Sequence, residues 1–159
     1  MPSKKVKDCV HELVLRNYKI AFAESATAGR FAHEFACVPN SGYILLGGIV
    51  CYDVSIKTSL LNVPEKLIEK ATAESAEVTR VLAENLRHHF KADVIVAVTG
   101  LASPGGSETP EKPVGTMFLH IILPQGYVAH REVFEGKQEE IILQAIDRGC
   151  ELIIKKLQS

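Results

Sequence analysis

Three side chains in this sequence have the chemistry needed for acyl transfer: Ser25, Tyr52 and Lys57. A serine hydroxyl is a weak nucleophile and needs a base to remove its proton. Lysine serves as that base when burial lowers its pKa, because desolvation penalises the ammonium form. Tyr52, close before Lys57 in the chain, can relay a proton or orient the pair. Together the three residues predict hydrolysis of an amide or an ester.

The serine lies in the segment Ala23–Arg30, where an apolar run gives way to a helical pattern. A hydroxyl at such a turn can cap the helix, with Ser25 or Thr27 accepting a backbone N–H. It can also take part in chemistry, because a helix N-terminus offers unpaired N–H groups to a phosphate or an oxyanion. With the amides of the Gly100 loop, this turn can hold the oxyanion of a tetrahedral intermediate. The alternative without chemistry is a capping serine, a packed tyrosine and a solvated lysine.

Three predicted strands must bring these segments together. Ile20–Ala23 predicts the first strand, and Tyr43–Tyr52 predicts a buried strand with a bulge or a close backbone approach at its two glycines. Asp93–Thr99 is continuous and β-branched, which indicates burial on both faces. A long irregular loop then runs to Pro113, and loops of this length are more often functional than not. Because ligands of α/β sheets sit at the carboxyl ends of strands, we expect the segments that leave these strands to converge on one crevice.

Helical patterns separate the strands, and one hairpin follows them. Gly115–Leu123 and Tyr127–Phe134 are joined by Pro124–Gly126, which predicts an antiparallel pair. This arrangement indicates an α/β sheet that is covered on both faces and is mixed, though mostly parallel. The apolar periodicity predicts helices over residues 6–14, ending at Asn17, and over 31–36, followed by a short helix at Lys57 and a helical stretch that starts at Pro64. A long helix, capped within residues 72–77, is predicted to run to about residue 90, and a last one covers residues 137–158.

Composition sets limits on the class of protein. At 159 residues, with 47% hydrophobic and 23% charged residues, the chain predicts about one globular domain. The formal net charge of −1 gives no bulk attraction to nucleic acid or anionic lipid. No apolar run approaches the ~18 residues of a membrane span. The scattered cysteines argue against zinc and for a cytosolic protein with reduced thiols, although a nucleophilic cysteine stays open; they are Cys9, Cys37, Cys51 and Cys150.

Four motifs resemble the C-terminal domain of the competence/damage-inducible protein (CinA) family. They stand in that family's order, with similar gaps, and the resemblance covers nearly the whole chain. The motifs are Ala-Glu-Ser-Ala-Thr-Ala-Gly at 23–29, Tyr-Asp-Val-Ser-Ile-Lys at 52–57 followed by Leu-Leu-Asn-Val at 60–63, Ala-Val-Thr-Gly-Leu-Ala-Ser-Pro-Gly-Gly at 97–106, and Pro-Glu-Lys-Pro-Val-Gly-Thr at 110–116.

The resemblance implies a fold and a reaction. The fold is a three-layer α/β/α with a mixed, mostly parallel five-stranded sheet, here as one domain over residues 1–159, without the N-terminal molybdopterin-binding-like domain of larger members. The reaction is that of stand-alone members, nicotinamide-nucleotide amidases, which convert nicotinamide mononucleotide and water to nicotinate mononucleotide and ammonia. The family pattern needs no metal and no cofactor, and we expect a cytoplasmic homo-oligomer without nucleic-acid or membrane partners.

The resemblance also assigns roles. Ser25 would be the nucleophile, Lys57 its base and Tyr52 an assisting hydroxyl. Substrate contacts are expected from the turn after the first strand and from the long loop, at Thr27, Gly29, Thr99, Gly100, Gly105, Gly106 and Lys112.

Several positions depart from the family pattern. Ala28 replaces a glycine, Val54 replaces a polar amide, and Gln138 and Ile142 replace two arginines. Arginine suits a phosphate through its rigid fork of donors, which neither replacement can supply. Two classes of function therefore follow. One is an amidase acting on nicotinamide mononucleotide or on a different small amide, and the other is a weak or silent relative that binds a nucleotide or a partner.

Overall fold

A computed structural model describes residues 1–159 and contains one mixed sheet in the order β2-β1-β3-β4-β5. β1 pairs in parallel with β2 and β3, while β4 is antiparallel to both β3 and β5, so the predicted five-stranded mixed sheet is confirmed. The elements are α1 Lys4–Arg16, β1 Ile20–Glu24, α2 Arg30–Ala36, a 3₁₀ turn Ser41–Tyr43, β2 Leu45–Val50, α3 Val54–Ser59, α4 Glu65–Ala71, α5 Ala76–Leu86, β3 Val94–Gly100, β4 Thr116–Leu123, β5 Gly126–Val133 and α6 Gln138–Leu157.

Helices cover both faces of the sheet and create two cores. The face covered by α1, α2 and α6 buries a cluster of 26 residues, and the face covered by α3, α4 and α5 buries 11. In the larger core, the ring of Phe22 on β1 lies 4.8 Å from that of Phe31 and 5.1 Å from that of Phe35, both on α2. This apolar contact fixes α2 against the strand that precedes it, and so fixes the turn between them.

The helix ends follow local rules. Ser3 caps α1 by accepting the Val6 N–H at 3.2 Å, and Asn17 ends it in the left-handed region at a φ of 54°. Ser75 caps α5 in the same way, accepting the Val78 N–H at 3.2 Å, within the range predicted for a cap. No helix is both long and apolar enough to cross a membrane.

The prediction of a buried strand at Tyr43–Tyr52 was wrong in one respect. β2 is an edge strand, and its residues alternate between half-buried and exposed. The continuous apolar run conceals this alternation, because its outward positions also carry apolar residues. The predicted irregularity at the glycines is confirmed by a register shift opposite Ile20 and Ala21, and a Cβ on Gly48 would collide with the backbone of Phe22.

Two consecutive residues of the turn after β1 have left-handed backbones. Ala28 has a φ of 46° and Gly29 a φ of 92°. Glycine adopts this region freely, whereas an alanine there costs about 1–2 kcal/mol through contacts of its Cβ. The family's glycine at position 28 thus has a physical reason, and this chain departs from it at the expense of stability.

We expect Ala28→Gly to raise the free energy of unfolding by about 0.5–1 kcal/mol, because relief of the left-handed strain exceeds glycine's entropy cost of about 0.5–1 kcal/mol. Urea unfolding at equilibrium measures this change. Ala32→Gly inside α2 is the control and should destabilise by about 0.5–1 kcal/mol. Two variants that both lose stability would show that position 28 is not strained.

Candidate active site

Ser25 follows the carboxyl end of β1, and the backbone on both sides holds it in place. Its N–H donates to the Val98 carbonyl of β3 at 2.9 Å, and its own carbonyl accepts from the Ala28 N–H at 3.0 Å. The residue is 7% exposed, and its Oγ accepts a hydrogen bond from Lys57 Nζ at 2.8 Å. The structure therefore brings together the predicted nucleophile and its predicted base.

A buried carboxylate, rather than a hydroxyl, caps α2. Glu24 Oε1 accepts from the Phe31 N–H at 2.8 Å and Oε2 accepts from the Ala32 N–H at 3.1 Å. Thr27 Oγ1 donates to Glu24 Oε1 at 2.6 Å, so its hydroxyl supports the carboxylate and does not cap the helix. The capping role considered for Ser25 and Thr27 is wrong. Thr27 is buried, and it does not line the cavity into which Ser25 opens, so its expected contact with a substrate stays a prediction.

Strand alternation explains how Glu24 and Ser25 take separate roles. Phe22 lies in the larger core and Ala23 in the smaller one, so successive side chains of β1 point to opposite faces. Glu24 points to the same face of the sheet as Phe22, and its carboxylate contacts α2 there. Ser25 points to the same face of the sheet as Ala23, and there its hydroxyl contacts Lys57 of α3.

Lys57 is a fully enclosed amine on α3. It is 1% exposed, and its Nζ donates to Ser25 Oγ at 2.8 Å, to the Cys51 carbonyl at 2.5 Å and to the Tyr52 carbonyl at 3.1 Å. Carbonyl oxygens only accept hydrogen bonds. A neutral amine can therefore give its two N–H bonds to the carbonyls and turn its lone pair toward the Ser25 hydroxyl. The same three partners satisfy the ammonium form, so the geometry serves both states of a proton carrier.

The surroundings favour the neutral form of that amine. Burial lowers the pKa of Lys57, and this effect is opposed by the Cys51 thiol and by the carboxylates of Glu74 and Asp53. Burial also raises the pKa of Cys51 to about 11, which leaves too little thiolate for Cys51 to act as a nucleophile. Asp53 caps α3, accepting the Ser55 N–H at 3.0 Å, and thereby fixes the helix that carries Lys57.

Ser25 opens into a cavity of about 250 Å³. The cavity is bounded by the turn after β1, the segment after β2, the loop after β3 and the start of α6, which confirms the predicted convergence at the carboxyl ends of the strands. Its lining residues are Ser25, Ala26, Tyr52, Glu74, Gly100, Leu101, Ala102, Ser103, Pro104, Gly105, Gly106 and Gln138. A larger groove of about 580 Å³ lies between α5 and the β4–β5 hairpin, away from Ser25 and Lys57.

Tyr52 contributes its backbone to the pair. Its carbonyl accepts from Lys57 Nζ, whereas its side chain is 62% exposed and lines the cavity without a hydrogen bond to Ser25 or Lys57. The assisting role of the Tyr52 hydroxyl stays a prediction.

Two predicted substrate contacts have other partners in the structure. The Thr99 hydroxyl lies 2.8 Å from that of Thr79 on α5, and Thr99 is fully buried. Lys112 Nζ donates to Thr72 Oγ1 at 2.6 Å, to the Glu74 carbonyl at 2.8 Å and to Ser107 Oγ at 3.1 Å. All three N–H bonds of Lys112 are thus used. Both side chains position the site rather than line it.

The glycines of the long loop do line the cavity, while Gly29 is the N-terminal flanking residue of α2 and does not. Gly100 permits a close approach, because a Cβ there would collide with Met117 and with the Thr116 carbonyl. Several backbone N–H groups of the cavity wall have no acceptor in the protein, and among them are those of Ala26, which follows Ser25, and of Ala102 and Ser103 in the long loop. Such donors can stabilise an oxyanion that forms on a substrate carbonyl.

Sequence reasoning missed one residue of this site. Glu74 lines the cavity from the connection before α5, where its position suggested only a helix start. Of the two positions that depart from the family's arginines, Gln138 lines the cavity, whereas Ile142 packs against the larger core. The structure brings no three His, Cys, Asp or Glu side chains together in a way that can hold a metal ion.

Comparison with known proteins connects this geometry to a family. The sequence model of the CinA C-terminal domain family matches residues 3–157 of this chain. A CinA-like protein of Desulfotalea psychrophila is 43% identical over 129 residues, which cover 81% of this chain and 31% of that protein. A putative competence-damage inducible protein of a Geobacillus species is 34% identical over 152 residues, covering 95% of this chain and 36% of that protein. The chain spans about a third of the length of the curated relatives it matches.

Solved structures show the same fold. A CinA superfamily protein of Klebsiella pneumoniae superposes with a TM-score of 0.91 at 22% identity, covering 98% of this chain and 96% of that one. The competence/damage inducible protein CihA of Agrobacterium tumefaciens gives a TM-score of 0.89 at 24% identity, covering 98% of both chains. At these identities the comparison establishes the fold alone.

We expect activity to require the neutral form of Lys57. Because burial lowers the pKa of this amine, kcat/KM should rise with pH to a plateau reached below the ordinary lysine pKa of 10.5, and it should be lost as pH falls through the lowered value. Lys57→Met, which keeps an unbranched apolar stem, should lower kcat by about 10²–10⁴ at every pH. Lys57→Arg should fail equally, because a guanidinium does not deprotonate. Near-normal turnover by the arginine variant would exclude Lys57 as the base.

Proposed function

The chain belongs to the CinA C-terminal domain family, and on that premise we propose that it is an amidohydrolase with Ser25 as nucleophile and Lys57 as base. The observation that carries this proposal is the 2.8 Å contact between the Ser25 hydroxyl and an amine that is 1% exposed. A capping serine would face the amides of α2, and a solvated lysine would face water. Neither describes the pair.

The proposed reaction has two halves. In the first, Lys57 takes the proton of Ser25 Oγ as that oxygen bonds to the amide carbon, and the carbonyl electrons move to the oxygen. The free N–H groups of Ala26, Ala102 and Ser103 are the candidates to stabilise that oxyanion. When the intermediate collapses, the C–N bond breaks and Lys57 returns the proton to the leaving nitrogen, which departs as ammonia from a primary amide. In the second half, Lys57 deprotonates a water molecule whose oxygen bonds to the ester carbon. The bond from that carbon to Ser25 Oγ then breaks, and Lys57 returns the proton to Oγ, which releases the acid and restores both the serine and the neutral amine.

We propose nicotinamide mononucleotide as the substrate, with nicotinate mononucleotide and ammonia as products. The resemblance of the four motifs supports this choice, and the cavity of about 250 Å³ can take a ring with its carboxamide beside Ser25. The ribose phosphate would then extend toward the rim, where Gln138 stands in place of the family's arginine. This replacement favours the second candidate function, a weak or silent family member that binds a nucleotide, or an amidase that prefers a different small amide.

Ammonia release from nicotinamide mononucleotide by the purified protein tests the proposed function. We expect Ser25→Ala to abolish this turnover, because Ser25 Oγ is the side-chain hydroxyl that Lys57 Nζ contacts. The variant should lose at most about 1–3 kcal/mol of stability, the cost of one missing partner for the buried amine. Unfolding measurements on the same sample show whether the variant is folded. Turnover that survives in a folded Ser25→Ala protein would exclude the serine mechanism.

We also propose that the chain associates with a second copy through β2. Ten large hydrophobic residues are exposed, and six of them lie within residues 43–60; these six are Tyr43, Leu46, Val50, Tyr52, Val54 and Leu60. β2 is a sheet edge with no charged residue, whereas the opposite edge, β5, carries Arg131 and Glu132. Uncharged edges invite strand pairing, and two copies of one edge pair antiparallel about a twofold axis without opposing charges.

Leu46→Lys should therefore weaken self-association at least about tenfold, because a charge on an apolar interface loses its hydration. Light scattering during size exclusion, over a range of concentrations, measures the change in mass. Leu15→Lys is the control, since Leu15 is exposed on α1, away from this surface. A wild-type protein that stays monomeric at high micromolar concentration, or equal effects of the two substitutions, would contradict this proposal.

A further inference from the structure

Glu74 is the one residue of the Ser25 cavity that carries a formal charge at neutral pH. The other lining residues are apolar, small or uncharged. The Glu74 Oε2 atom accepts a hydrogen bond from Ser107 Oγ at 2.6 Å, while Oε1 has no hydrogen-bond partner in the protein. No lysine, arginine or histidine forms an ion pair with this carboxylate. A half-buried anion thus borders the cavity with one oxygen free.

The backbone around Glu74 is fixed. Thr72 has a φ of 70°, and its hydroxyl donates to the Glu74 carbonyl at 3.1 Å. Lys112 Nζ donates to the same carbonyl and to Ser107 Oγ, which in turn holds the carboxylate. The carboxylate therefore has a defined position on the cavity wall, which a selective electrostatic contact requires.

The same contacts allow a purely structural role. The chain from Lys112 through Ser107 to Glu74 ties the loop after β3 to the start of α5. A glutamine side chain at position 74 keeps an oxygen that accepts from Ser107, so it retains this link. It removes only the charge, and that difference separates the two roles.

We propose that Glu74 is a specificity-determining residue that selects amides bearing a positive charge close to the carboxamide, of which a pyridinium carboxamide is the simplest aromatic example. The proposal rests on the proposed amidase function of the same cavity. An unpaired carboxylate at the wall attracts a cation in the partly desolvated cavity and disfavours a substrate that brings a negative charge to the same place. The free backbone N–H groups of Ala26, Ala102 and Ser103 are the candidates to meet the carbonyl oxygen, so these donors and the carboxylate would act on different groups of one substrate.

A second consequence concerns the base. Glu74, Asp53 and the Cys51 thiol all favour the charged form of Lys57 against the effect of burial. Removing the Glu74 charge should therefore lower the pKa of Lys57 further and move the rising limb of the kcat/KM profile to lower pH. This shift reports that the Glu74 charge acts on Lys57 in either role, so the preference for a cationic substrate needs a separate binding measurement.

Nicotinamide mononucleotide and its 1,4-dihydropyridine form provide a matched pair of probes, because they share ribose, phosphate and amide and differ in the ring charge. Their dissociation constants are measured by calorimetry on Ser25→Ala protein, where no turnover interferes. We expect the pyridinium form to bind roughly tenfold more tightly, and Ser25→Ala/Glu74→Gln to reduce this ratio to about one. Glu77→Gln in the same background is the control, since Glu77 lies outside the cavity, and it should leave the ratio unchanged.

The outcomes are separable. If the wild type releases ammonia from nicotinamide mononucleotide but Glu74→Gln leaves the binding ratio unchanged, the inference is overturned and the amidase function stands. If there is no turnover but the charge-dependent ratio appears and depends on Glu74, the inference stands and the amidase function falls. The absence of both turnover and preferential binding overturns both. Thermal unfolding of the Glu74→Gln variant is measured alongside, and a midpoint equal to that of the wild type excludes loss of the fold as the cause of any change in binding.

Discussion

The burial of one amine is the constraint on which this structure depends. Lys57 is 1% exposed, and a buried nitrogen of this kind must keep its hydrogen bonds. Two of its partners are the Cys51 and Tyr52 carbonyls, which are available because the chain turns away immediately after β2. The Cys51 N–H donates to the Glu24 carbonyl at 2.9 Å, so the register between β1 and β2 sets the distance from the amine to Ser25.

The topology gives this pair its location. From β1 the chain passes over one face of the sheet through α2 to the outer strand β2, and returns through α3–α5 on the other face to β3. The chain leaves β1 toward β2 but leaves the neighbouring strand β3 toward β4, in the opposite direction along the sheet. Such a divergence opens a crevice at the carboxyl ends of the two strands, where α/β proteins place their ligands. On the α2 side, the Glu24 carboxylate accepts the N–H groups of Phe31 and Ala32 at the start of that helix. The Ser25 hydroxyl is then free to meet the other layer.

Much of this arrangement could be predicted from the sequence, because it follows from periodicity and strand order. The five strands, the hairpin, the convergence of three segments and the Ser25–Lys57 pair all come from local patterns and one topological rule. Side-chain direction was harder to predict. Thr99 points to the same face of β3 as Ile95 and Ala97, which pack in the smaller core. Its hydroxyl contacts that of Thr79 on α5 for that reason. Lys112 lies in an irregular loop, where no periodicity indicates which oxygens its ammonium will find.

Glu74 shows why a cavity can contain a residue that no sequence motif predicts. Its side chain enters the cavity because Thr72 adopts a positive φ and because the loop after β3 folds back onto the start of α5 through Ser107, neither of which a propensity predicts. The result is a cavity whose wall carries both free backbone N–H groups, from the turn after β1 and the long loop, and one carboxylate. A neutral amide would use the N–H groups alone. Only a substrate that places a developing negative charge beside Ser25 and a fixed positive charge beside Glu74 uses both, and the energetic advantage of such a substrate grows as the cavity excludes water.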